Sequence, residues 1–153
     1  LECCDQAKKS KDLIMFVEDD YLFEKQSIEE LIFSYSRIST MLEKDIFLCP
    51  SDYPFYYDSP YKTALFVGKE YRWRYVGESL LTILFSQKIL SDHEINIRKI
   101  GEIKNDPFEK PLHDVFKLTP CLAPVKSLAY HLSRSVPAIS EDWLNLWKSI
   151  YKK

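Results

Sequence analysis

The stretch DLIMFVEDDYLF, residues 12–23, constrains the chain more than any other. Leu13 to Val17 are an unbroken apolar run after a charged turn. That is the pattern of a strand buried on both faces. Glu18, Asp19 and Asp20 follow at once, and Tyr21, Leu22 and Phe23 come directly after them. Three adjacent carboxylates repel one another unless water screens them or a cation sits among them. In open α/β sheets, ligands bind beyond the carboxyl ends of strands. The acids therefore stand where such a sheet would carry a site.

The neighbouring segments say which sheet to expect. LECCDQAKKS reads as the end of a helix. SIEELIFSYSRISTMLEKD reads as a full helix: Ser27 and Glu30 have capping-box spacing, and Ile28, Leu31, Ile32, Tyr35, Ile38 and Leu42 recur at helical period. IFLCP is then a second short buried strand. Strand, helix, strand predicts an α/β fold with a mixed, mainly parallel sheet flanked by helices. TALFVG and YRWRYV predict two further strands with a turn near Gly68, and the alternation in the second gives it one wet face. ESLLTILFSQKIL is helix or strand by pattern. Ser91 with Glu94 suggests another helix start, a proline-rich stretch follows, and LAYHLS is a short apolar element. SEDWLNLWKSIYKK predicts an amphipathic C-terminal helix with Trp143, Leu146 and Trp147 on one face. Residues 1–153 suit one domain with a core that needs no staples.

Composition removes several function classes. Three glycines cannot build a glycine-rich phosphate loop, and a formal net charge of -2 without a basic run argues against nucleic-acid binding. No apolar stretch reaches the length of a membrane span, and the first residues do not form a signal peptide. Cys3, Cys4, Cys49 and Cys121 lack CxxC spacing, so free buried thiols in a reducing, cytoplasmic setting are expected.

On a strand, Glu18 and Asp20 share one face and Asp19 takes the other. Two converging carboxylates make a hard oxygen site suited to Mn²⁺ or Mg²⁺; a solvated turn of acids is the plainer alternative. SDYPFYYDSPYK holds Tyr53, Phe55, Tyr56, Tyr57 and Tyr61. These rings offer flat faces and hydroxyls to a sugar, or pack on the core. Arg72 and Arg74 flank Trp73. They suit a diphosphate by bidentate pairing, or are ordinary solvated or ion-paired arginines.

DLIMFVEDDYLF, followed by a helix, resembles the DxD region of nucleotide-sugar glycosyltransferases with the Rossmann-like GT-A fold, in particular family 2-like members. The resemblance implies that Glu18, the first acid, faces the nucleoside, that Asp19 lies near the donor sugar, and that Asp20 binds the divalent cation. It implies a late histidine as a further metal ligand, and SLAYHLS puts His131 in such a position. Glu18, Asp20 and His131 are thus the metal candidates, and Glu18, Asp19, Arg72 and Arg74 the donor-binding ones. YRWRYVGESLLT resembles the acceptor-side segment, in which an acid at a helix start acts as base; Glu78 matches it, with Asp114 and Asp52 as rivals. The activity implied is metal-dependent transfer of a sugar from a nucleotide-sugar donor to a sugar, glycan or other hydroxyl acceptor, with an inverting course. The family domain also carries a base-binding βαβ unit ahead of the triplet, where this chain has only Leu1 to Val17. The chain therefore resembles the later part of that domain, as a fragment or a reduced fold, and one sheet edge is expected to be exposed and open to association.

Two other classes use the same residues. A Mg²⁺-dependent phosphoesterase or phosphotransferase would need further ligands, for which His93, His113 and Asp114 are available. A non-catalytic binding module would use the aromatic loop as its contact surface.

Overall fold

The structure, a computed structural model, describes residues 2–58, 63–102, 105–132 and Lys148. Helix α1 (Glu2–Ala7) leads to strand β1 (Leu13–Phe16), then β2 (Tyr21–Phe23), α2 (Ser27–Leu42) and β3 (Phe47–Leu48). A 3₁₀ turn at Pro54–Tyr57 precedes β4 (Leu65–Val67), β5 (Arg72–Val76) and β6 (Ile83–Ser86). The remaining elements are α3 (Gln87–Glu102), α4 (Lys110–Phe116), β7 (Cys121–Pro124) and β8 (Ala129–His131). The C-terminal helix expected around Trp143, Leu146 and Trp147, and Tyr61 of the aromatic loop, lie outside the described residues.

Six strands form one mixed sheet in the order β1-β6-β3-β7-β5-β4, flanked by helices, and β2 pairs with β8 in a separate ribbon. The expected parallel bias is not found. Only β3–β7 is parallel; β1–β6, β6–β3, β7–β5 and β5–β4 are antiparallel. The cause is β6, drawn from the segment whose pattern fitted helix or strand. It inserts between β1 and β3, which a simple βαβ unit would have made neighbours. Both are antiparallel to β6, so β1 and β3 still run the same way, and β7 runs with them. Their carboxyl ends therefore meet at one end of the sheet. β1 and β4 are the outer strands of the sheet.

The two-residue period sorts the core. Leu48 faces Leu84 and Leu122 across the ladder, and these pack with Trp73 against Leu31, Tyr35 and Ile38 of α2. Phe47, Cys49, Phe85 and Cys121 point the other way, toward Ile89, Ile97, Leu112, Val115 and Phe116 of α3 and α4. Each fully buried leucine contributes about 2 kcal/mol by leaving water.

Three local expectations are corrected. α2 begins after Gln26, and Ser27 donates to the carbonyls of Glu24 (2.7 Å) and Leu128 (2.5 Å) instead of capping. Its partner in the supposed box, Glu30, is buried and turned to the β4–β5 turn. It accepts from Ser34 Oγ (2.6 Å), Lys69 N (3.1 Å), Glu70 N (2.8 Å) and Trp73 Nε1 (3.3 Å). The apolar stripe of α2 is narrower than its sequence suggests, because Ile28 and Ile32 are exposed. Ser91 and Glu94 start no helix: α3 begins at Gln87, where Ser86 Oγ accepts from the Ile89 amide (3.2 Å), and it kinks at His93. Cys4, Cys49 and Cys121 are buried free thiols, while Cys3 is exposed. Among the described residues no helix is long and apolar enough to cross a membrane.

Candidate functional site

β1 ends at Phe16, so Glu18, Asp19 and Asp20 form the turn between β1 and β2 and not a continuation of the strand. Strand alternation therefore does not orient them; contacts from other elements do. The Glu18 amide donates to Thr82 Oγ1 (3.0 Å), and Oε2 of Glu18 accepts from the Leu81 amide (3.2 Å). Both partners belong to Gly77–Thr82, the segment linking β5 to β6. Half-burial pushes the Glu18 carboxyl above its ordinary pKa. Repulsion from Asp20 adds to this, while His131 and the Leu81 amide pull the other way.

Asp20 meets His131. The β2–β8 register pairs Tyr21 with His131, and Nε2 of His131 lies 2.9 Å from Oδ2 of Asp20. The Asp20 carbonyl accepts from the Leu132 amide (2.8 Å), which closes the ribbon beyond its last pair. The His131 ring stacks on Tyr21 at 5.0 Å, and its side chain is 12% exposed against 47% for Asp20. One face of this pair is thus packed and the other is open. Asp19 is exposed.

Tyr21 continues the arrangement toward the 3₁₀ turn. Its hydroxyl bonds that of Tyr53, and burial pushes the pKa of both phenols well up. Tyr53 is fully buried and stacks on Phe55 at 5.0 Å, while Tyr56 is buried and Tyr57 exposed. Part of the aromatic loop is therefore core, and its outer ring is available to a ligand.

The arginine pair divides. Arg72 is exposed. Arg74 is buried against Asp52, with Nη2 2.6 Å from Oδ1, and its guanidinium lies 4.1 Å over the Tyr57 ring. Tyr57 donates to the other Asp52 oxygen (2.7 Å). Arg74 is thus committed to an internal ion pair, and the wet face expected of β5 is dry at this position. The same pair removes Asp52 from the candidate bases.

Glu78 is exposed in the irregular Gly77–Thr82 segment and starts no helix, so it does not match the helix-start position expected of it. It does sit on the segment that holds Glu18. Asp114 is on the solvent side of α4 between Lys110 (2.9 Å) and Lys117 (2.5 Å), which bring its carboxyl down to about 2. A carboxylate so acidic is a poor proton acceptor at neutral pH. His93 bonds Thr119 Oγ1 (2.9 Å) beside a polar cavity of about 550 Å³ that includes Asp45 and Asp92. Asp45 precedes β3 and Thr119 precedes β7, so this cavity is at the opposite end of the sheet from the acids.

The sequence reading missed Thr82, Leu81, Tyr21 and Tyr53 as supports. A hydroxyl within the apolar run LLTILF was the available sign for Thr82. Among the described residues, no three His, Cys, Asp or Glu side chains are grouped as a metal centre. Asp20 and His131 are bonded to each other, with Glu18 within electrostatic reach of both. Two carboxylates and an imidazole are a hard, mixed O/N donor set that suits Mn²⁺. Comparison with protein-family models, curated proteins and solved structures finds no match for the chain.

Proposed function

We propose that this chain belongs to a metal-dependent glycosyltransferase of GT-A type, acting on a nucleotide-sugar donor and a hydroxyl acceptor with inversion. The observation that carries the reading is the Asp20–His131 contact. These residues, 111 apart in sequence, meet at 2.9 Å within electrostatic reach of Glu18 at the end of a sheet strand. Asp20, His131 and Glu18 would hold Mn²⁺ or Mg²⁺. Bound there, the ion supplies positive charge against the departing nucleoside diphosphate.

This chain's own residues supply the rest. Asp19, open to solvent beside Asp20, would meet the donor sugar. Arg72 is the arginine left for phosphate oxygens, now that Arg74 is engaged. Glu78 takes the acceptor hydroxyl proton as the acceptor oxygen bonds to the anomeric carbon and the bond from that carbon to the diphosphate oxygen breaks. Tyr57 offers a ring face to the acceptor. The four free cysteines suit a reducing, cytoplasmic setting.

Titration with Mn²⁺, with and without a panel of nucleoside diphosphates, tests the reading. Metal affinity that rises with one nucleotide supports it. Metal binding indifferent to nucleotide favours a phosphoesterase, and no metal binding at all favours a non-catalytic module.

A further inference from the structure

We propose that His113 is a positioning residue for the acid end, acting through the Gly77–Thr82 segment on Glu18. The inference rests on the metal-dependent reading above and extends it to a helix outside the acid turn. Nε2 of His113 is 2.9 Å from the Ser79 carbonyl oxygen and 3.2 Å from the Ser79 amide nitrogen. Two residues on, the Leu81 amide donates to Glu18 Oε2, and Thr82 Oγ1 accepts from the Glu18 amide. Gly77–Thr82 belongs to no helix or strand, so no ladder fixes its peptide groups. Ser79 and Thr82 are nevertheless buried, and buried peptide groups need partners. The imidazole supplies one at the near end of the segment, and Glu18 is held at the far end.

α4 is a firm base for this contact. Leu112, Val115 and Phe116 anchor it in the core, and the His113 ring lies 6.0 Å from that of Phe116. Glu109, one helical turn before His113, is within electrostatic reach of Glu18. The same face of α4 therefore looks toward the acid end. Without the imidazole, Ser79 loses its partner, the segment relaxes, and the Leu81 amide no longer fixes the Glu18 carboxylate.

The test uses His113→Phe, which keeps a ring beside Phe116 but no nitrogen, and His113→Gln, whose amide reaches the Nε2 position. Amide hydrogen exchange and Mn²⁺ affinity in the presence of a nucleoside diphosphate are measured on the full chain. Expected in His113→Phe are faster exchange confined to Ser79 and Leu81 and a loss of Mn²⁺ affinity of about 10-fold, the lower end for groups that orient metal ligands. His113→Gln should recover most of both. If His113→Phe does not fold, His113→Asn carries the same measurements. Unchanged Leu81 exchange, unchanged Mn²⁺ affinity, or a uniform rise in exchange across the chain would overturn the proposal. A wild-type chain that binds no Mn²⁺ overturns the glycosyltransferase reading instead; the exchange measurement contains no metal and still decides whether His113 controls Leu81.

Discussion

Glu30→Gln is a sharp probe of how the fold is held, because one buried carboxylate does the work of a turn cap. Glu30 is 2% exposed and accepts four hydrogen bonds from Ser34, Lys69, Glu70 and Trp73. Oε1 receives three of these and Oε2 one. Glutamine has a single acceptor oxygen, so its best pose keeps the carbonyl at Oε1 and turns its NH₂ toward the Glu70 amide. One charge-assisted bond is then lost, worth about 1.5–3 kcal/mol, and a buried donor faces another donor. A destabilisation of about 3 kcal/mol is expected. For a chain of this size that lowers Tm by roughly 6–12 °C. Thermal and urea unfolding, with Glu29→Gln as control, measure it. Glu29 is exposed and, among the described residues, pairs with Lys69, so its loss should stay within about 0.5 kcal/mol. The pH dependence has a definite sign. Burial pushes the Glu30 carboxyl up, but the four hydrogen bonds outweigh it, and the net shift is below the ordinary 4.5. The contribution is therefore complete above the unfolded value and fades as pH falls through the lower folded value. Wild type should lose this increment in acid and Glu30→Gln should not. A change under about 1 kcal/mol at neutral pH would refute the assignment, being less than the loss of one charged hydrogen bond.

Other outcomes follow from the same geometry. A Cβ at Gly68 would overlap Ser34 Oγ, Glu30 Oε1 and Trp73 Nε1, so Gly68→Ala should cost about 1–3 kcal/mol in urea unfolding. His131→Ala should weaken Mn²⁺ binding about 10- to 100-fold by isothermal titration, with a modest fall in Tm from the lost stack on Tyr21. A fall in Tm alone would make His131 a packing residue. Glu78→Gln should lower turnover about 10²- to 10⁴-fold while donor and metal affinity hold; normal turnover would remove Glu78 from the mechanism.

The long periodic helix, the buried strands and the Gly68 hairpin were legible because local pattern decides them. β6 was not, since LLTILF is apolar at every position but Thr82 and carries no period to separate strand from helix. Its insertion between β1 and β3 is a tertiary choice, and it turned an expected parallel sheet into a largely antiparallel one. Ser27 and Glu30 kept capping-box spacing, but burial offered each a better set of partners. The acids could be named from residue type and position, and His131 through the family resemblance. The register Tyr21↔His131 that joins Asp20 to His131 could not, because pairing across such a separation leaves no local trace. The ion pair was among the readings open for Arg74, but its partner was not legible, because Asp52 stands 22 residues earlier in the aromatic loop.

The central claim is that the acid turn and His131 form a cation site serving a nucleotide-sugar donor. Its most direct measurement is Mn²⁺ affinity in the presence of the best nucleoside diphosphate, wild type against Asp20→Asn. Asp20 is half-exposed, so asparagine should leave unfolding nearly unchanged while Mn²⁺ affinity falls by at least about 10-fold. Equal affinity in a folded Asp20→Asn would contradict the account.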